Sequence, residues 1–224
     1  MYDRTASFIR QIYDRRISTP AVLDLDSNFP DWARFADNWE AIRDEALLVG
    51  QRLAQVPRFH EIMREQTAIS ANDGRDWRLF ILKAYGIENP KNIEACPVLG
   101  GIVAKAPDVL SASLSFMAPN KYIPSHRGPF RGVLRFYLPL VMPRLSDGSP
   151  AAVLKIDGDE YRLSDGQCLL WDDTYPHEVW NRSEQTRTVL LLDVRRPNMP
   201  IDMEIFSGFL MTVVRWGIRI RGLS

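Results

Sequence analysis

Two hydrophobic periods divide the 224-residue chain. Up to about position 70, apolar residues recur every three or four positions, the spacing of one helix face. In DNWEAIRDEALLVGQRLAQV, Trp39, Ile42, Ala46, Leu47 and Leu53 fall near one such face. Asp37 and Glu40 stand there at capping-box spacing, and Pro57 closes the pattern. TASFIRQIYDRR, with Phe8, Ile9, Ile12 and Tyr13, reads as a shorter amphipathic helix. From about Trp77 the period becomes two. WRLFILKAYG, VLSASLSFMAP, GVLRFYLPLVMP, AAVLKIDGDEYRL, GQCLLWDD and TRTVLLLDVRRP are short apolar or alternating segments parted by turn signals such as SDGSP and IDGDE. Six to eight strands with hairpin-like turns and no intervening helices predict an antiparallel sandwich or barrel. The expected class is α+β, mainly β, with a helical support over 1–76, a β core over 77–200 and a tail over 201–224.

The alternation in HRGPFRGVLRFYLPL is unusual in what it puts on each side. Leu134, Phe136, Leu138 and Leu140 share one face, and Arg135 and Tyr137 share the other. Arg187 alternates in the same way, on a face with Val189 and Leu191, and Ser113 and Ser115 alternate with leucine and phenylalanine. Outward, these are ordinary solvated residues. Inward, each guanidinium requires an anionic partner, because an unpaired buried charge is costly. A forked donor of this kind suits a small carboxylate, with the serine hydroxyls as further donors. Of the three histidines, His60 lies in a polar helical context and reads as a surface residue. His126 stands just before one strand and His177 begins another, so both can meet at the mouth of a sandwich as metal ligands. On spacing alone, two loop histidines that merely hydrogen-bond are the commoner arrangement.

Composition narrows the function classes. At 46% hydrophobic and 25% charged residues the chain can bury a core and is not a disordered sequence. Lys plus Arg and Asp plus Glu both number 28, so no overall field favours nucleic acid. Cys96 and Cys168 form neither a CxxC pair nor a disulfide framework. The first fifteen residues carry Asp3, Arg4, Arg10, Asp14 and Arg15, unlike a cleavable apolar signal, and no apolar run reaches the roughly 20 residues of a membrane span. A cytoplasmic, reducing location is the expectation.

The stretches PSHRGPFRGVLRFYLPLVMP, DGQCLLWDDTYPHEVWN and RTVLLLDVRRP together resemble the aspartyl/asparaginyl β-hydroxylase family, over about residues 95–197. The resemblance implies a double-stranded β-helix (jelly roll) carrying an Fe(II)- and 2-oxoglutarate-dependent dioxygenase that consumes O2 and hydroxylates an unactivated C–H bond. It implies His126 and His177 as the iron ligands and Arg187 as the partner of the distal 2-oxoglutarate carboxylate. Ser115 and Arg135 match further cosubstrate contacts, and Tyr137 stands where several members have histidine. The usual third ligand of such sites is the carboxylate of an H-x-D motif, and here that position is Gly128. The resemblance thus implies two protein ligands, with water in place of the carboxylate. Asp172 and Asp173 are the candidate replacements, and the preferred reading gives them supporting hydrogen bonds instead. A metal-binding jelly roll of the cupin kind without oxygenase activity is the alternative, and a catalytically dead scaffold a third. The pair Arg135 and Arg187 speaks against the former, and the intact His126, His177 and Arg187 against the latter.

The family includes enzymes acting on aspartyl or asparaginyl side chains and enzymes acting on acyl chains of bacterial lipids, so a small-molecule, lipid or peptide substrate is expected. IFSGFLMTVVRWGIRIRGLS, from Ile205 on, contains no acidic residue and sets Arg215, Arg219 and Arg221 around Trp216. Residues 205–221 therefore form a candidate segment for peripheral contact with anionic headgroups at the inner membrane face. A helix packed on the sandwich is the equal alternative, and Gly217 weakens either helical reading.

Overall fold

A computed structural model describes residues 2–221, with side chains over 4–220. Its β core comprises eleven strands: β1 Val22–Leu23, β2 Trp77–Ala84, β3 Ile87–Glu88, β4 Val109–Met117, β5 Tyr122–His126, β6 Val133–Val141, β7 Ala152–Ile156, β8 Asp159–Tyr161, β9 Leu169–Trp171, β10 His177–Asn181 and β11 Arg187–Arg195. They build a seven-stranded sheet in the order β1-β9-β6-β11-β4-β2-β3 and a four-stranded sheet in the order β5-β10-β7-β8. Neighbouring strands pair antiparallel throughout. The helices are α1 Tyr2–Asp14, α2 Leu25–Asn28, α3 Trp32–Ala36, α4 Trp39–Gly50, α5 Phe59–Ile62, α6 Thr67–Ser70, α7 Pro90–Ala95, α8 Pro97–Ala104 and α9 Ile201–Arg221. The protein is a two-sheet, double-stranded β-helix with helices layered on its larger sheet.

The large sheet has a core on each side. Leu134, Phe136, Leu138 and Leu140 of β6, with Leu190, Leu192 and Val194 of β11, turn toward the helical layer of Phe29, Phe35, Ile42, Ala46 and Val49. Phe29 meets Phe136 edge-on at a centroid distance of 5.4 Å. Tyr137 and Val189 turn the other way, joining Met117, Ile123, Ile156, Trp171 and Val179 between the two sheets. Full burial of one large apolar side chain is worth about 1.5–3 kcal/mol. A one-residue slip of β6 would take four of them out of the helical layer and drive Arg135 and Tyr137 into it, so the register is strongly determined.

Several elements depart from the sequence expectation. Two helices, α7 and α8, lie inside the region expected to hold strands alone. Pro90 and Pro97 occupy their first turns, and the Asn89 side chain accepts from the Asn92 N–H at 3.3 Å. No capping box forms at Asp37 and Glu40: α4 is preceded by Asn38, whose side chain makes no cap bond, and Asp37 ends α3 instead. Leu47 is exposed, and Glu45 is buried because its carboxylate accepts from the N–H groups of Val98 and Leu99 at the start of α8, at 2.6 and 3.0 Å. His60 is half-buried rather than superficial, with Nδ1 3.0 Å from the Ser70 hydroxyl.

Residues 201–221 form one continuous helix that runs through Gly217. Met203, Ser207 and Met211 are buried in a cluster with Tyr13, Ile17, Leu110, Phe130 and Val133, and the Tyr13 hydroxyl lies 2.6 Å from that of Ser207. The side chain of Arg221 lies outside the described residues.

Candidate active site

The histidines meet at the end of the small sheet. His126 is the last residue of β5, rather than a residue preceding a strand, and pairs directly with His177, the first residue of β10. Their rings lie 4.1 Å apart between centroids. Along β10, His177 and Val179 point inward and Glu178 outward, where it accepts from Tyr122 at 2.7 Å. His126 Nδ1 is 2.8 Å from the Pro124 carbonyl, and His177 Nδ1 is 3.0 Å from the Tyr175 carbonyl. A carbonyl can only accept, so both Nδ1 atoms carry the proton and both Nε2 lone pairs are left for another partner. Burial lowers the His126 pKa to about 4. Burial, reinforced by His126, holds His177 well below its ordinary value. Both imidazoles are therefore in the neutral, ligating form near neutrality.

Asp173 lies beside them. The Gly128 N–H donates to the Asp173 carbonyl at 2.6 Å, and a Cβ built on Gly128 would collide with the Asp173 carboxylate. The space that an H-x-D side chain would enter is thus already filled by a carboxylate from the neighbouring corner. Among the described residues no third His, Cys, Asp or Glu completes a metal-holding set with the histidines. Burial raises the Asp173 pKa to about 6, against the pull of Arg135 at 3.3 Å. Asp172 has a different task. It accepts from Thr174 N–H and Oγ1 at 3.0 and 2.6 Å and from Arg196 at 2.5 Å, and forms an ion pair with Arg131 at 2.9 Å. Arg127 donates to the Thr174 carbonyl at 2.5 Å, so two of the arginines flanking His126 lock the loop to the β9–β10 corner.

The inward faces of β4, β6 and β11 supply the rest. Arg187 is 3% exposed and, among the described residues, has no carboxylate partner. Its Nη2 donates to the Tyr137 hydroxyl at 2.8 Å, its guanidinium carbon stands 5.2 Å from that ring's centroid, and Nη1 lies 3.8 Å from the Met117 sulfur. Tyr137 therefore orients Arg187. Ser115 is fully buried on the strand next to Arg187, and its hydroxyl accepts from Trp77 Nε1 at 3.0 Å. Ser113 is half-buried two residues along. Arg135 is otherwise engaged: it stands opposite Asp193 and donates to it at 2.9 and 3.1 Å. Burial works against its charge, but Asp193 and Asp173 outweigh that and raise its pKa.

Among the described residues, three buried side-chain atoms lack a hydrogen-bond partner: Trp171 Nε1, Asp173 Oδ1 and Arg187 Nε. Trp171 stands 5.9 Å from His177 and 5.8 Å from Tyr137 between ring centroids. Trp171 lies in the apolar run of GQCLLWDD, where nothing in the sequence pattern marks it as a site residue. Two unpartnered donors and one unpartnered acceptor around a pair of neutral imidazoles describe a site shaped for a polar, anionic occupant.

The profile of the aspartyl/asparaginyl β-hydroxylase family matches residues 36–197. The chain belongs to this family. It is 35% identical over 182 residues to the ornithine lipid ester-linked acyl 2-hydroxylase of Rhizobium tropici, covering 81% of this chain and 63% of that protein. It is 27% identical over 169 residues to human aspartyl/asparaginyl beta-hydroxylase, covering 72% of this chain and 20% of that protein. The chain thus spans less than two thirds of either relative. Among solved structures, a DMSP lyase of Ruegeria pomeroyi covers 58% of this chain and 52% of its own at TM-score 0.37 and 18% identity, a remote likeness.

Proposed function

We propose that this family member is an Fe(II)- and 2-oxoglutarate-dependent dioxygenase that hydroxylates the acyl chain of a lipid. The observation that carries the cosubstrate is Arg187, a buried guanidinium with an unpartnered Nε and, among the described residues, no carboxylate partner, on the inner face next to Tyr137 and Trp171. Leaving such a charge unpaired costs about 3–5 kcal/mol, a cost that binding a carboxylate removes. His126 and His177 would hold Fe(II) through Nε2. Bound with 2-oxoglutarate and O2, the metal supplies an oxidant for an unactivated C–H bond, with succinate and carbon dioxide as coproducts. Arg187 holds the distal cosubstrate carboxylate, and Tyr137 fixes the plane of the guanidinium. Ser115, kept in place by Trp77, stands on the adjacent strand of the same inner face. Asp173, with an unpartnered Oδ1 beside Gly128, would accept a hydrogen bond from a water on the metal in place of a protein carboxylate ligand. Trp171 offers its indole N–H as a donor, and Arg135 counters the Asp173 charge. The apolar interior of Met117, Ile123, Val179 and Val189 keeps bulk water from the reacting centre.

The Rhizobium tropici relative supports an acyl substrate over an aspartyl or asparaginyl side chain, since its similarity exceeds that of the human protein in both identity and coverage. The test incubates the protein with Fe(II), 2-oxoglutarate and either an ornithine lipid or an aspartate-containing peptide, measuring succinate and product mass. One added oxygen in the lipid's acyl chain, with stoichiometric succinate, is the expected result. Oxygen added to the peptide alone would reassign the substrate, and no succinate under any condition would remove the dioxygenase reading.

A further inference from the structure

Helix α9 is apolar on two sides. The inner side is the one packed through Met203, Ser207 and Met211. The outer side carries Ile201, Ile205, Phe209, Val213, Trp216 and Ile220, each between 50% and 76% exposed. Their spacings of four and three residues hold them within an arc of roughly 120° along roughly 29 Å of helix. Scattered exposed apolar residues are ordinary, but a continuous stripe of six is not. Tyr13 against Ser207 and Arg16 against Asp202 set α1 antiparallel to α9, which carries Phe8, 63% exposed, toward the C-terminal half of the stripe.

Charge indicates what covers this face. Asp202 is tied to Arg16, and beyond Glu204 the helix contains no carboxylate. In its C-terminal turns Arg215 is half-buried and donates to the Tyr85 carbonyl at 2.7 Å, while Arg219 is exposed at the edge of the apolar arc, where a long guanidinium stem can reach headgroups. An apolar stripe with an aromatic pair, Phe209 and Trp216, and a basic, acid-free end matches an anionic bilayer surface. Among the described residues no helix is long and apolar enough to cross a membrane, so α9 would lie along the interface. The face is also coupled to the site. Arg10 of α1 donates to the Gly128 carbonyl at 2.9 Å, and Gly132 packs so tightly on Ser207 of α9 that a Cβ there would collide with its hydroxyl. The loop that begins at His126 is thereby seated on the two helices that carry the stripe.

We propose that the α1–α9 face docks on an anionic lipid surface, with α9 in the plane of the interface, so that the site draws an acyl chain directly from the bilayer. This rests on the lipid reading of the substrate. Because the inner side of α9 is core, deleting the helix would unfold its surroundings, and surface substitutions are the proper probe. The intact protein, Phe209→Ser with Trp216→Ser, and Arg219→Glu are floated with vesicles of phosphatidylcholine, with and without one third phosphatidylglycerol. The expected result is flotation of the wild type with the anionic vesicles, weakened by added salt. Arg219→Glu should weaken it by about fivefold or more, and the aromatic pair by about tenfold or more. No flotation of the wild type, or flotation unchanged by the aromatic substitutions, overturns the proposal. A wild type that sediments as a dimer, a double variant that is monomeric, and no flotation of either would assign the stripe to a second copy instead. Succinate release with Fe(II), 2-oxoglutarate and detergent-dispersed ornithine lipid, measured on the same samples, reads the catalytic centre separately from the bilayer. A protein that floats but releases no succinate keeps this proposal and removes the dioxygenase reading, and one that releases succinate but does not float does the reverse.

Discussion

Arg187 donates to the hydroxyl of Tyr137 at 2.8 Å across two strands of the same sheet, while its own Nε has no partner. The pair is a half-built ion site: one side chain holds the guanidinium in place, and the anion must come from elsewhere. A bidentate carboxylate contact to a partly desolvated guanidinium is worth about 1.5–3 kcal/mol. Arg187→Met should therefore raise the 2-oxoglutarate requirement by roughly ten- to a hundredfold. It should also leave the cosubstrate-free protein as stable as the wild type or more so, since an unpaired buried charge has been removed. Thermal melting with and without 2-oxoglutarate reads both effects. A wild type whose melting temperature ignores 2-oxoglutarate would count against the assignment.

Gly128 and Asp173 compete for one volume. Gly128→Ala forces the Asp173 carboxylate to move, and overpacking of this kind costs about 1–3 kcal/mol. The loss should shrink when Asp173→Ala is made in the same chain, which chemical denaturation of the two single variants and the double variant would show. Equal losses in both backgrounds would mean the crowding is relieved elsewhere.

Asp172 and Asp173 are adjacent in sequence and opposite in role. Asp172→Ala strands Arg196 and leaves Arg131 only the more exposed Asp14 at 3.2 Å, so a loss of about 3–5 kcal/mol in unfolding free energy is expected. Asp173→Ala removes a carboxylate whose burial already raises its pKa, and should cost less stability but more turnover. Denaturation midpoints alongside succinate release separate the two.

The strand faces are legible in the sequence because a period of two sorts residues by face without reference to any partner. The alternation alone separates Arg135 and Tyr137 from Leu134 and Phe136, and Arg187 from Thr188 and Leu190, and leaves open which face is interior. What Arg135 touches was not legible, because its partner Asp193 lies on β11 and is set by strand order, which the alternation does not encode. Glu45 escaped for the same reason: it is buried to cap α8, more than fifty residues away in the chain. The short strands β5 and β10 gave the histidines their pairing, yet five residues with Pro124 in one of them carry little pattern. Trp171 read as one more apolar strand residue, and only its unpartnered N–H inside the fold sets it apart.

Acid should destabilise the metal-free protein through the histidines. Their folded pKa values lie below the unfolded value, His126 at about 4, so their contribution is complete above roughly pH 6.5 and is lost as pH falls toward 4. Asp173 acts in the opposite sense. Its folded value of about 6 lies above the unfolded one, so its contribution is complete at low pH and lost as pH rises through 6. The difference between the wild type and His126→Asn with His177→Asn isolates the first effect. The wild type's melting temperature should fall more steeply than the variant's between pH 6.5 and 4, and parallel curves would contradict the neutral-imidazole assignment.

Two imidazoles without a protein carboxylate hold a divalent ion weakly, so metal and cosubstrate should reinforce each other at this site. The most direct measurement is an anaerobic titration of Fe(II) into the protein with and without saturating 2-oxoglutarate, repeated on Arg187→Met. The expected result is Fe(II) binding at least about tenfold tighter in the presence of 2-oxoglutarate, with most of that gain absent from the variant and the metal-only affinity unchanged. Fe(II) affinity indifferent to 2-oxoglutarate in the wild type would contradict the assignment of His126, His177 and Arg187 to one site.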